Sequence, residues 1–178
     1  ELSCRFEKVF GSAVPAADEA VLAGIGKALA AFQETLLSGR APFDEFRDAL
    51  SRGDFSSMKK YPEAAQRGLR IFIGRGNCGA CHVGPAFSNG EFHDIGVPFF
   101  VGPGQVDAGR HGGIKSLQAS RYNLLGPFND DATHGSATST HHVLLEHRHF
   151  GEFKVPSLRN LARTAPYMHN GSLATLRD

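Results

Sequence analysis

Asn77-Cys78-Gly79-Ala80-Cys81-His82 is the stretch from which the rest of the chain is read. Cys-x-x-Cys-His is the attachment signature of a c-type haem. Two thiols separated by two residues on a helical turn stand apart by the spacing of a porphyrin's two vinyl groups. His82 follows at once, so its imidazole can swing beneath the ring as the proximal iron ligand. Two other chemistries use a Cys-x-x-Cys pair. A zinc site wants four ligands, and with three cysteines in the chain there is no second pair. A dithiol redox motif sits beside a βαβ pattern, which this sequence lacks. The motif therefore predicts one covalent haem c on Cys78 and Cys81, with His82 on the iron.

Upstream, the pattern is helical. Pro62 opens a predicted helix with Ala65, Leu69 and Phe72 on one face and Gly74 at its end, so the motif is mounted on a rigid element. A shorter helix is predicted from Pro42 through Phe43, Phe46 and Leu50, closed by Gly53. A long one begins at Asp18 or Glu19, whose charge suits the positive end. It carries Val21, Leu22, Ile25, Leu29, Phe32 and Leu36 at three- and four-residue spacing and is expected to stop at Gly39.

Downstream of His82 the character changes. Residues 83–150 show no sustained helical period, and Gly84-Pro85, Asn89-Gly90, Pro103-Gly104 and Gly126-Pro127 mark turns. So long a connection is unusual in a compact domain. It makes sense if it wraps a cofactor, with Phe87, Phe92, Ile95, Val97, Phe99 and Phe100 as apolar wall. Residues 133–140 are polar enough for disorder. The crowded histidines allow two readings: ligand pairs such as His142 with His147, or His147 with His149, or a solvated polar stretch. No spacing among them matches a zinc pattern well.

The 178 residues form one domain by length, with residues 1–76 as leading helices and residues 77–178 as haem motif, wrapping loops and closing motif. Hydrophobic content of 41% is enough for a core, while Gly 21 and Pro 9 favour loops. The expected fold class is mostly α: a cytochrome c-like domain with long loops wrapped around one covalent haem. A net charge of +1 argues neither for a nucleic-acid partner nor for an anionic membrane. No stretch approaches the roughly 18 apolar residues of a membrane span. Cys4 is left single and is expected as a buried thiol. Covalent haem is attached outside the cytoplasm, which predicts a periplasmic location.

Two thioethers compete for the sixth iron position. Met58 lies in a charged Ser-Ser-Met-Lys-Lys run, whereas Met168 sits in a Pro-rich turn far downstream, where a single-domain cytochrome c places its Met. Met168 suits a gap-filling core role equally well. Near the end, Pro156 is expected to start a short helix bearing Leu158 and Leu161, which Pro166 breaks. Thr175-x-x-Asp178 has the form of a capping box, which predicts a further helix and a sequence continuing past Asp178.

Several runs carry a family resemblance: Ala28-Leu29-Ala30-Ala31-Phe32, Arg67-Gly68-Leu69, the Cys78 to His82 motif, Gly84-Pro85-x-Phe87, and Phe92-His93-Asp94-Ile95-Gly96-Val97. So do Gly151-Glu152-Phe153-Lys154-Val155-Pro156-Ser157-Leu158-Arg159-Asn160 and Thr164-Ala165-Pro166-Tyr167-Met168-His169-Asn170-Gly171. Together they resemble the bacterial dihaem cytochrome c peroxidases and MauG-like enzymes, specifically their C-terminal, electron-transfer half. The resemblance implies a peroxidase-type oxidoreductase as the parent protein. In it, electrons from a small donor, a cytochrome c or a cupredoxin, pass through this haem to a peroxidatic haem domain that this chain lacks. It further implies His169 near the haem edge and calcium held by the backbone carbonyls of Thr164 and Pro166. In the family the sixth iron ligand lies about fourteen residues beyond His169, which lowers Met168 as that ligand. The alternative is a stand-alone monohaem electron carrier with Met168 on the iron.

Overall fold

The computed structural model describes residues 1–97 and 100–178, so Phe99, expected in the apolar wall, lies outside the described residues. The chain is mostly α with a few short strands, and it divides into two compact units.

The first unit comprises Glu1–Leu37 and Ile114–Leu145. Helix α1, Leu2–Phe10, was not anticipated, although Leu2, Phe6 and Val9 carry the spacing of an amphipathic turn. It packs Phe6 against α2, Asp18–Glu34, at Gly24, where a Cβ would stand only 2.9 Å from the Phe6 ring. Glycine is what allows that approach. Helix α2 ends five residues before the expected Gly39. The Thr35 hydroxyl donates to the Phe32 carbonyl (2.7 Å), which satisfies the helix end there. Cys4 is exposed, not buried, because α1 turns its Phe6 side inward and leaves Cys4 outside.

The expectation of disorder over 133–140 also fails. The Asp131 carboxylate accepts from the backbone of Thr133 and Ser136, and Ala137 is completely buried at the start of α7, Thr138–His142. On α2, by contrast, Leu22, Ile25, Leu29 and Phe32 remain 48 to 60% exposed, and Leu36, just past its end, 65%.

The second unit comprises Ser38–Gly113 and Glu146–Asp178. Helix α3, Pro42–Arg52, starts on Pro42 and ends on Gly53 in the left-handed region (φ 68°), as read from the sequence. A single turn, α4, Phe55–Met58, leads to α5, Glu63–Ile73, which Gly74 terminates. Strand β1, Phe92–His93, pairs antiparallel with β4, Phe153–Lys154, while β2, Phe100–Gly102, pairs with β3, Gln105–Val106. The stretch read as lacking helices does contain one, α6, Arg110–Ala119, across which the boundary between the units falls. Gly112 and Gly113 in its first turn hide it from propensity. Tertiary contacts supply what propensity does not: the Arg110 N–H donates to Glu152 (2.8 Å) and Ile114 is 4% exposed.

The buried apolar residues are few in either unit: among the described residues they are Ile114 and Ala137 in the first and Phe46, Ala49 and Val155 in the second. No described helix is long and apolar enough to cross a membrane.

Candidate functional site

Helix α5 hands the chain to the motif through a tight reversal. The Gly76 N–H donates to the Ile71 carbonyl (2.8 Å), and Asn77 takes a left-handed conformation (φ 52°) that opens a 3-10 turn over Cys78–Ala80. Asn tolerates that region better than most side chains. The His82 N–H then donates to the Cys78 carbonyl (3.0 Å), so both cysteines and the histidine sit on one compact turn. Cys78 is exposed and Cys81 half-buried.

The imidazole of His82 is half-buried, and its hydrogen bond selects one tautomer of the neutral ring. Its Nδ1 lies 2.9 Å from the backbone carbonyl of Phe87. A carbonyl only accepts, so Nδ1 carries the proton and donates, which leaves the lone pair on Nε2. That is the arrangement of a histidine that ligates a metal through Nε2 while its other nitrogen is held by a backbone carbonyl. The surroundings of the imidazole are largely apolar. His82 borders a 360 Å³ cavity lined mainly by apolar side chains, Leu69, Phe72, Val83, Pro85 and Phe87 among them, with Arg47 and Arg159 at its edge; neither Cys78 nor Cys81 lines it. The donor set therefore fits a c-type haem: two thiols, an imidazole with its lone pair on Nε2, and an apolar setting.

The Phe87 carbonyl is aimed by its own turn. Phe87 has φ 52°, and its N–H donates to the Gly84 carbonyl (3.0 Å). Three residues from the closing segment grip this turn. The Ser157 hydroxyl donates to the Ala86 carbonyl (2.7 Å), Leu158 N–H donates to the same carbonyl (3.3 Å), and Arg159 Nε donates to the Pro85 carbonyl (2.8 Å). The Arg159 guanidinium also lies over the Phe87 ring, 5.1 Å from its centroid.

Arg159 makes a two-pronged ion pair with Asp44 on α3, at 2.6 and 2.8 Å. Asp44 is 4% exposed and also accepts from the Ala41 N–H (2.8 Å). The Arg159 fork, helped by that N–H, holds the Asp44 carboxyl well below the usual carboxylate range. Neither half of this pair was singled out from the sequence. Nothing in a single sequence links Asp44 to a residue 115 positions away.

The remaining predicted residues are dispersed. His169 is exposed and stacks on Phe153, with ring centroids 3.5 Å apart. Met168 is 38% exposed and adopts φ 68°, in a turn closed by the bridge between Tyr167 and Leu173. Thr164 and Pro166 are exposed and flank Ala165. Of the histidine run, His147 is exposed, while His149 is 3% exposed and accepts at Nδ1 from the Glu146 N–H (3.2 Å). Its Nε2 has no hydrogen-bond partner among the described residues. No three His, Cys, Asp or Glu side chains gather as a metal site among the described residues.

A mostly α chain with Cys-x-x-Cys-His at the end of a helix has the build of a c-type cytochrome domain. No family model matches it. Among curated proteins, the chain is 32% identical to the cytochrome-c peroxidase IdrP1 of Denitromonas iodatirespirans over 100% of its own length and 44% of the relative's. It is 34% identical to the methylamine utilization protein MauG of Methylorubrum extorquens over 96% of the chain and 36% of that protein. It is 31% identical to the cytochrome c551 peroxidase of Nitrosomonas europaea over 98% of the chain and 39% of that protein. The chain belongs to this cytochrome-c peroxidase and MauG family of oxidoreductases. It spans about two fifths of the length of these relatives.

Proposed function

We propose that the chain is the electron-transfer haem domain of a periplasmic peroxidase-type oxidoreductase, the C-terminal half of a dihaem enzyme. Cys78 and Cys81 bind the haem through thioethers, and His82 ligates its iron through Nε2. The bond from His82 Nδ1 to the Phe87 carbonyl carries this reading, because it leaves Nε2 free to ligate in a half-buried, apolar setting. When bound, the haem supplies a one-electron Fe(III)/Fe(II) couple. The chain's own residues fix the ring, orient the imidazole and limit water around it. Electrons come from a small redox protein, a cytochrome c or a cupredoxin, and leave toward a peroxidatic haem domain. The carbonyls of Thr164 and Pro166 contribute to a calcium site shared with that domain, and His169 stands near the ring edge.

Intact mass under denaturing conditions tests the attachment, with the protein made in a host that matures c-type cytochromes. The haem increment should survive denaturation and vanish in the Cys78→Ser/Cys81→Ser variant. A colourless wild-type chain with both thiols open to alkylation would overturn the proposal.

The half-exposed position of Met168 in a left-handed turn keeps a second reading in play: a stand-alone electron carrier with Met168 on the iron. A weak red sulfur-to-iron band, abolished by Met168→Ala, would establish it. An unchanged spectrum would remove Met168 from the site.

A further inference from the structure

We propose that Arg159 is a positioning residue for His82, holding the 84–87 turn so that the Phe87 carbonyl keeps the imidazole fixed and electron-rich. The inference rests on the haem attachment proposed above and adds the lever that sets the iron's potential.

The argument starts from Phe87. A bulky residue with φ 52° sits in a sparsely populated region, so its turn persists only where the surroundings hold it. Two carbonyls preceding it in the chain, those of Pro85 and Ala86, are taken by Arg159, Ser157 and Leu158. The next carbonyl, that of Phe87, receives the His82 proton. The three acceptors are thus consecutive, and the grip on two of them fixes the direction of the third.

Arg159 is itself immobilised. Its fork meets both oxygens of Asp44, its backbone N–H donates to the Ser157 hydroxyl (3.1 Å), and its plane covers the Phe87 ring. Asp44 is anchored in turn at the start of α3 by the Ala41 N–H. One planar cation therefore joins a helix end, a carbonyl and an aromatic ring, a combination that an ammonium cannot reproduce.

The consequence reaches the iron through ligand basicity. A well-aligned Nδ1–H donor bond pushes electron density onto the imidazole and favours Fe(III) over Fe(II), which lowers the reduction potential. A loosened turn weakens that bond and raises the potential. Replacing Arg159 by Lys keeps the positive charge and removes the fork, so a change in net charge does not confound the reading.

The experiment measures the midpoint potential of the covalent haem in wild type, Arg159→Lys and Ser157→Ala. It also follows deuterium exchange of the His82 Nδ1–H by NMR. The potential should rise in both variants, more in Arg159→Lys, by up to a tenfold shift in the redox equilibrium, about 59 mV for one electron. Nδ1–H exchange should accelerate in the same order. Ser157→Ala removes two neutral hydrogen bonds, the one its hydroxyl gives to the Ala86 carbonyl and the one it accepts from the Arg159 N–H, and carries the test if Arg159→Lys fails to fold. An unmoved or lowered potential in a folded variant with its haem attached overturns the proposal while leaving the haem assignment intact. A wild-type chain without covalent haem overturns both.

Discussion

The turn around Phe87 and the outer face of α2 are held by opposite kinds of interaction. The turn is fixed by directed polar contacts from residues far away in sequence, among them the buried pair of Asp44 with Arg159. The α2 face presents Leu29 and Phe32 at 54 and 60% exposure. Directed bonds fix where a group points, which a site needing orientation requires. Apolar area carries no such direction, and the exposed face of α2 fixes nothing about where a group points.

The largest expected effect lies at the buried pair. Arg159→Leu should cost roughly 3 kcal/mol or more in denaturant unfolding, because it strands the Asp44 carboxylate in a site that is 4% exposed. A loss below about 1 kcal/mol would mean that solvent reaches the carboxylate, and the contrast with α2 would collapse.

Acid sharpens the same point. The folded state holds Asp44 below its unfolded value near 3.9. Its stabilisation is therefore fully present above that value and is lost as pH falls through the lower, folded one. Unfolding measured from pH 6 downward should steepen below about pH 4, and Asp44→Asn should remove that part of the slope.

On α2 the expectation reverses. Leu29→Glu and Phe32→Glu should each change unfolding free energy by no more than about 0.5 kcal/mol, as at exposed surface positions. A loss of several kcal/mol would show that this face is packed. The smallest effect is expected for Lys27→Ala. The ion pair of Lys27 with Asp130 spans 2.5 Å, but the side chains are 40 and 83% exposed. Such pairs contribute little, and the thermal midpoint should barely move.

What the sequence made legible was local. Pro42, Gly53, Pro62 and Gly74 bracket α3 and α5 because proline and glycine act on their own backbone. The Cys78, Cys81 and His82 turn is likewise specified by neighbours within a few residues. Helix α6 was not legible, since two glycines oppose it locally and its stability comes from Glu152 and the burial of Ile114. Cys4 was misread because one apolar-looking thiol does not say which side of a helix faces inward. The aiming of His82 was invisible for a related reason. Its cause is a carbonyl five residues on, in a turn whose two preceding carbonyls are taken by side chains 71 and 74 residues further along the chain.

The separation of 115 residues between Asp44 and Arg159 has a consequence for biosynthesis. Helix α3 emerges from the ribosome long before its partner arginine, with a delay on the order of 10 s at ordinary elongation rates. Throughout that interval the carboxylate has only local partners, the Ala41 N–H and, at 3.8 Å, Arg47. The turn that steadies the histidine is therefore complete only once residues 157–159 are in place.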